Sequence, residues 1–376
     1  MPWEERDVVE QRRDLIAAVE AGSSISEAAR RAGVSRKTAS KWWHRHQRDG
    51  DSGLVDRSRA RVTRPDWVTP PAMVELVLSV RDRLPTWGGR KIRVLLLREG
   101  HVGVPAASTI TAILKREGRI QKPVRPQRDY VRFEAAAPND LWQMDFKGQF
   151  GLTAGGKCYP FTVIDDHSRF LVNLTAGPNN QKETVKGDLT TVFRTVGLPE
   201  TILCDYGAPW GYEPGSPFTQ LVAWLISLNV NVIHGRPRHP QTRGKNERIH
   251  RTLKEDVLAR DDPWNTLDEV QVAFDEWRPI YNYYRPHQGI GMAVPADRYQ
   301  PSVRLFPEVI PPPDYPNPKN VRSVDPNGKA NWKGRLITAG HAFTALPIYI
   351  NEHEDGSITI SYYQTIIRTL EPGRNL

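Results

Sequence analysis

Apolar residues recur at helical spacing through the first 120 positions, then switch after about residue 139 to short alternating or continuous runs. In "VVEQRRDLIAAVE", residues 8–20, Val8, Leu15, Ile16 and Val19 share one side and predict a helix. The following "ISEAARRAGVSRKTASKWWHRH" reads as a helix-turn-helix. Ile25, Ala28, Ala29 and Ala32 form the inner face of a short helix capped by Ser26. Gly33 supplies the left-handed turn, Val34 plugs the gap, Ser35 caps the next helix, and Ala39 packs inward with Trp42 or Trp43. Three more helices are expected over about 70–84, 88–99 and 105–118, with Pro105 near one start and Gly118 beyond one end.

The later runs predict strands in "DLWQMDFKGQF", "KCYPFTVIDDHSRF" and "LVNLTAG", which form an antiparallel meander. A helix in "KETVKGDLTTVFRTVG" precedes a buried strand, "ETILCD". Helix "FTQLVAWLISL", strand "NVNVIHG" and two further helices complete a mixed α/β sheet with helices on its faces. After a Pro-rich spacer the tail alternates apolar and polar residues, with hairpin turns at Asn327-Gly328 and Asp355-Gly356, which suggests a small β-barrel. The reading is multidomain: a helix-turn-helix unit over 1–55, a basic linker over 56–69 and a second helix-turn-helix unit over 70–120. An extended connector over 121–136, an α/β core over 137–302 and the spacer with its barrel over 303–376 follow.

Charge adds a partner to this plan. The net charge is +9, but residues 1–133 hold 27 Lys/Arg against 16 Asp/Glu, leaving the rest of the chain slightly acidic. A cationic front end on a near-neutral body is the layout of a tethered reader of double-stranded DNA. On the first module Arg36, Lys37, Thr38, Ser40, Lys41 and His44 point outward as a major-groove surface. Arg57, Arg59, Arg61 and Arg64 make the linker a basic arm, and Ser108, Thr109, Thr111 and Lys115 line the outer face of the last helix of the second module. Two distant cysteines, Cys158 and Cys204, rule against a zinc finger and fit a reducing cytoplasm. No apolar run is long enough for a membrane span, and a signal-peptide h-region is lacking.

Three acids carry the candidate chemistry. Asp145 sits among apolar neighbours in the first core strand, and Asp205 ends another, where open sheets place ligands. Glu247 lies in "HPQTRGKNERIHRTLKED", crowded by Arg243, Lys245, Arg248, Arg251 and Lys254. Alone, Glu247 reads as an i,i+4 salt bridge to Arg251, one of a kind worth a few tenths of a kcal/mol. Together, two strand-borne Asp and one helix-borne Glu could hold divalent cations through oxygen, and two such ions about 4 Å apart serve phosphoryl transfer. The surrounding cations Arg243, Lys245, Arg251 and Lys254 would hold the phosphate backbone. Asp165 and Asp166 read as turn residues rather than ligands. His234, His239, His250 and His287 read as neutral surface or phosphate-contacting residues, and Trp142, Trp210, Trp224 and Cys204 as packing.

The motifs "WQMDFKG", "LCDYGAPW", "HPQTRGKNERIHRTLKED" and "YNYYRPHQGIGMAVPADRY" resemble the integrase-type core of DDE transposases, most of all the insertion-sequence 481 family. The resemblance implies an RNase H-like core, an SH3-like tail barrel, and Asp145, Asp205 and Glu247 as a catalytic triad binding two Mg2+ ions, with Mn2+ as substitute. It further implies a nucleoid-associated cytoplasmic enzyme that binds the terminal inverted repeats of its element. That enzyme would synapse them as a homodimer or higher homo-oligomer and join them to target DNA. Two features depart from the family pattern. Tyr206 stands where Asn usually follows the second Asp, and 42 positions separate Asp205 from Glu247, a lengthening that the Gly/Pro-rich loop "YGAPWGYEPGSP" can absorb. The alternatives are a catalytically silent DNA-binding repressor descended from such an enzyme, and a metal-dependent nuclease without strand transfer.

Overall fold

The computed structural model describes residues 7–56, 68–120, 133–211, 218–235, 244–259 and 262–372. The chain divides into two units, Met1–Val68 and Thr69–Leu376. In the first, α1 (Val8–Glu20), α2 (Ile25–Arg31) and α3 (Arg36–Asp49) enclose a core of Leu15, Ile16, Ala28, Ala29, Ala39, Trp42 and Leu54. Arg12 lies over the Trp42 ring at 3.7 Å and donates to the Leu54 carbonyl at 2.6 Å. The start of the polar stretch after α3 therefore folds back as a short 3-10 turn, Gly50–Leu54, before the linker begins.

Three local expectations are corrected here. Ser24, not Ser26, caps α2, because only from Ser24 does a Glu fall at the third helical position to complete a reciprocal capping box with Glu27. Val34 does not plug the turn; it is 38% exposed, and Ala32 is exposed too, since Ala28 and Ala29 already fill the small space between the helices. Gly33 does adopt the left-handed turn, at φ +66°.

The second unit opens with α4 (Pro71–Arg83), α5 (Gly89–Arg98) and α6 (Ala107–Arg116), close to the predicted positions. Their core is Val77, Val80, Trp87, Ile92, Leu96, Ile110 and Leu114. A side chain on Gly89 would stand 2.4 Å from the Ala107 carbonyl oxygen, so α5 and α6 cross closely there because residue 89 is glycine.

Beyond them lies a sheet of β1 (Leu141–Phe146), β3 (Lys157–Asp165), β4 (Leu171–Gly177), β5 (Thr201–Cys204) and β6 (Asn231–His234), ordered β4-β3-β1-β5-β6, with the short β2 (Phe150–Gly151) pairing the start of β3. β1, β3 and β4 are antiparallel, as the meander predicts, while β1, β5 and β6 run parallel. Strand periodicity sorts the two faces. Trp142, Met144, Phe161, Val163 and Ile202 meet α7 (Lys182–Val196) and α8 (Gln220–Ser227). Cys158, Ile164, Leu171 and Leu174 meet α9 (Gly244–Leu253) and α10 (Leu267–Pro279). Each of the last two helices runs into a π-helical turn, Lys254–Leu258 and Ile280–Tyr284. The α4–α6 module is fastened to this layer through Asp256, which accepts from Thr86 Oγ1 at 2.7 Å, Trp277 Nε1 at 3.1 Å and Arg285 at 2.8 Å.

The tail departs from the expected barrel. Its strands β7 (Val321–Ser323), β10 (Pro347–Glu352), β11 (Ile358–Tyr362) and β12 (Thr365–Leu370) form one antiparallel sheet, and β8 (Lys329–Trp332) with β9 (Arg335–Thr338) forms a separate ribbon. The sheets share a core with Val222, Ala223 and Ile226 of α8. The apolar face of α8 is thus part of the cover that barrel closure would otherwise have to supply. Both hairpin glycines take their turns, Gly328 at φ +74° and Gly356 at φ +80°. Among the described residues no helix is long and apolar enough to cross a membrane.

Candidate active site

The parallel pairing of β1 with β5 places Leu141 beside Thr201, Trp142 beside Ile202 and Gln143 beside Leu203. The paired rungs stop there; two residues further on come Asp145, near the end of β1, and Asp205, just past the end of β5 at Cys204, so both acids reach the same edge of the sheet from neighbouring strands. Both acids are half-buried at the carboxyl ends of their strands. The sheet's connections also reverse direction here, which is the position where open sheets form ligand crevices. Because Trp142 and Met144 point into the α7 side, alternation turns Asp145 toward α9. Asp205 accepts from the Gly207 amide at 3.0 Å, and a Cβ on residue 207 would press to 3.2 Å from its oxygen, so glycine leaves the carboxylate room.

Helix α9 lies over this end of β1 because Ile249 and Leu253 are fully buried against the sheet. Its imidazole at His250 is mostly enclosed, 12% exposed, with Nδ1 4.0 Å from Asp145 Oδ2 and Nε2 2.9 Å from Thr162 Oγ1. Burial, aided by nearby Lys147, pulls the His250 pKa down to about 4, so the ring is neutral at physiological pH. Glu247, one turn earlier, is exposed, as is Arg251. Among the described residues α9 makes an ion pair from Lys245 to Asp166, while the neutral His250 ring lies beside Asp145. Carboxylate oxygens at two adjacent strand ends, with a neutral imidazole beside them, are a donor set suited to a divalent cation. Among the described residues no three His, Cys, Asp or Glu side chains are already grouped as a metal site.

Asp165 closes β3 and Asp166 opens the turn after it, and both are wholly buried and tie the site's frame together. Asp165 accepts from the Asn139 and Ser168 amides at 2.7 Å each. Asp166 accepts from the Ala135 amide and Gln143 Nε2, again at 2.7 Å each, and pairs with Lys245. Tyr206 stacks on His234 with ring centroids 4.7 Å apart, so its ring is taken up at the end of β6.

Two models described as "Integrase core domain" match residues 135–240 and 228–295, one described as "Helix-turn-helix domain" matches 11–61, and one described as "Homeodomain-like domain" matches 38–114. The chain is 23% identical over 65% of its length to an insertion element IS407 uncharacterized 31.7 kDa protein of Burkholderia multivorans, and spans 87% of it. It is 25% identical over 49% of its length to an insertion element IS476 uncharacterized 39.2 kDa protein of Xanthomonas euvesicatoria, and spans half of that protein. The chain belongs to the DDE transposases of insertion sequences. A solved HTLV-2 integrase catalytic core domain in complex with magnesium aligns with 44% of this chain and 99% of its own, at a TM-score of 0.33 and 13% identity.

In this transposase the expected DNA-contacting residues do not all stand free. Arg36, Lys37, Lys41 and His44 are exposed along α3, whereas Thr38 and Ser40 are half-buried, and the Thr38 hydroxyl is bonded to Ser35 Oγ at 2.9 Å. Ser108, Thr109 and Lys115 are exposed on α6, but Thr111 donates back to the Ala107 carbonyl at 2.7 Å. Lys245 is corrected: its ammonium is held by Asp166 rather than presented to a phosphate, since a buried carboxylate within reach outcompetes solvent. Arg251 and Lys254 are exposed. Arg57, Arg59, Arg61, Arg64, Arg243 and His239 lie outside the described residues. Neither His250 nor His287 is a surface residue. Burial, with Arg285 beside it, pulls the His287 pKa down to about 3. Trp142, Trp210 and Cys204 are buried as packing residues. The closeness of His250 to Asp145 was missed in the sequence. Its only signal was a His one helical turn after Glu247, on a helix whose Ile249 had to face the sheet.

Proposed function

We propose that this transposase cleaves DNA at the ends of its own mobile element and joins the freed 3′-hydroxyl to target DNA, with Asp145, Asp205 and Glu247 as the catalytic acids. The observation that supports the reading is that Asp145, near the end of β1, and Asp205, just past the end of β5, follow the parallel pairing of these two strands to the same sheet edge, with the helix that bears Glu247 packed on the sheet. These carboxylates would hold two magnesium ions, or manganese in their place. When bound, such ions supply the charge that draws an attacking oxygen toward phosphorus and steadies the leaving oxygen. The chain's own residues orient that chemistry. Thr162 and the β1–β3 pairing fix Asp145, the Gly207 amide fixes Asp205, and exposed Arg251 and Lys254 flank the entry for a phosphate backbone.

The exposed cations of α3 and the polar face of α6 support reading of the terminal inverted repeats by the two helical modules, with divisions near residues 55 and 120. Two ends must be held together for joining, so a homodimer or higher homo-oligomer working in the cytoplasm completes the reading. Its test is a labelled, pre-cleaved element end incubated with the full chain, target DNA and Mg2+. Joined product is expected. Hydrolysis without joining would make the protein a nuclease, and binding without reaction would make it a silent repressor.

A further inference from the structure

Where α5 meets the core, cations from three distant parts of the chain converge. Thr86, in the turn before α5, donates to Asp256 of the π-helical turn after α9 at 2.7 Å, and Arg285, itself buried, pairs with the same carboxylate at 2.8 Å. Lys91, on the first turn of α5, is half-buried, with its ammonium 5.9 Å from the ring of the buried Trp87. Among the described residues that ammonium makes no ion pair or hydrogen bond. Facing it are Asp256 and Glu255 on the π-helical turn, Arg248 on α9, and Arg285 and His287 beyond the second π-helical turn. Asp256 is already engaged by Thr86, Trp277 and Arg285. Burial, with Arg285 and Arg248 beside it, pulls the Lys91 pKa down to about 7. Packing on Trp87 explains the stem of Lys91 but not its ammonium, since an unbranched apolar side chain would fill the same place without the repulsion. An anion lodged between the ammonium and the guanidinium groups resolves it.

Resting on the proposed reading of element ends by the helical modules, we infer that Lys91, with Arg248 and Arg285, forms a seat for one backbone phosphate of the element-end duplex, at the seam between the α4–α6 module and α9. A duplex is favoured over a free anion by what flanks the seat. On one side is the module whose α6 exposes Ser108, Thr109 and Lys115, and on the other Arg251 is exposed one turn beyond Arg248. The seat fixes the reading module relative to Glu247, the residue before Arg248, whenever DNA is bound. It also links binding to a proton. A phosphate beside Lys91 raises its pKa back toward the ordinary lysine range, so binding near neutral pH takes up a proton at Nζ. About half of the free chains carry that proton at pH 7 and about a tenth at pH 8, so affinity falls about fivefold over this interval.

The test is calorimetric titration of the full chain with an element-end duplex at pH 8, with a chelator present so that no metal chemistry contributes. Repeating it in two buffers of different ionisation enthalpy gives the number of protons taken up on binding. Lys91→Arg, which stays charged, should bind with about one proton less taken up than the wild type and without the fivefold loss between pH 7 and 8. Lys91→Met, which keeps the stem on Trp87, should lose the same proton, bind several-fold more weakly at pH 7, and show a salt slope shallower by about one. Proton uptake equal in the wild type and the variants would overturn the seat and leave the modules' reading of the end standing. No preference for the end duplex over a random one would overturn that reading and the seat with it. Inorganic phosphate that draws the same uptake at a matched phosphate concentration would make this a free-anion site and overturn its assignment to DNA. Either variant alone decides, so one that folds poorly does not remove the test.

Discussion

Glu247→Gln is expected to lower end cleavage and strand transfer by orders of magnitude while the protein folds and binds DNA as before. Glu247 is exposed on α9, so the substitution disturbs no core contact and changes helix propensity little. It removes one full negative charge from a site that must balance divalent cations beside a phosphodiester. DNA affinity should stay equal or rise slightly, because Arg248, Arg251 and Lys254 lose a neighbouring anion. A surface salt bridge to Arg251 forecasts the reverse: well under about 1 kcal/mol of stability lost and the chemistry intact. Parallel assays of single-turnover joining and DNA binding on purified wild type and variant separate the two, and substantial joining by Glu247→Gln would remove it from the acids.

The second large effect concerns stability. Asp166→Ala should cost the core about 3–5 kcal/mol, because it strands a buried ammonium on Lys245 without its carboxylate. The same change leaves the Ala135 amide and the Gln143 side-chain amide without their acceptor. Burial already pulls the Lys245 pKa down to about 8, so the ammonium sits where an unpartnered charge is poorly tolerated. Adding Lys245→Met to Asp166→Ala should recover a large part of the loss, since the stranded charge then disappears. Urea unfolding midpoints for the two single variants and the double measure this coupling, and a loss below about 1 kcal/mol in Asp166→Ala would show that the pair carries no weight.

The sequence made some of this legible for definite reasons. Helices and strands followed from periodicity because each buries one stripe or one face, and α1 through α6 fall close to their predicted positions. Asp145 and Asp205 stood out because a lone acid in an apolar strand, or at its end, has no packing reason to be there. Their register did not, since it depends on which strand β5 joins. The cap of α2 was misplaced although its signal was present, because four residues of "SSIS" offer three serines and only Ser24 has Glu27 at the right offset. Lys245 was assigned by charge, and charge does not tell which way a side chain turns; its partner, Asp166, lies 79 positions away. The open tail was illegible for a related reason. Hairpin turns encode which strands pair, not whether a sheet closes, and the cover supplied by Val222, Ala223 and Ile226 comes from a distant helix.

The most direct measurement of the central claim is metal-directed backbone cleavage. Fe2+ substituted for Mg2+ in the full-length protein, with ascorbate and peroxide, generates radicals at the bound ion and cuts the chain beside its ligands. A common site predicts cuts near Asp145, Asp205 and Glu247 together, all suppressed by excess Mg2+. Cuts confined to one of these segments, or falling elsewhere and indifferent to Mg2+, would contradict it.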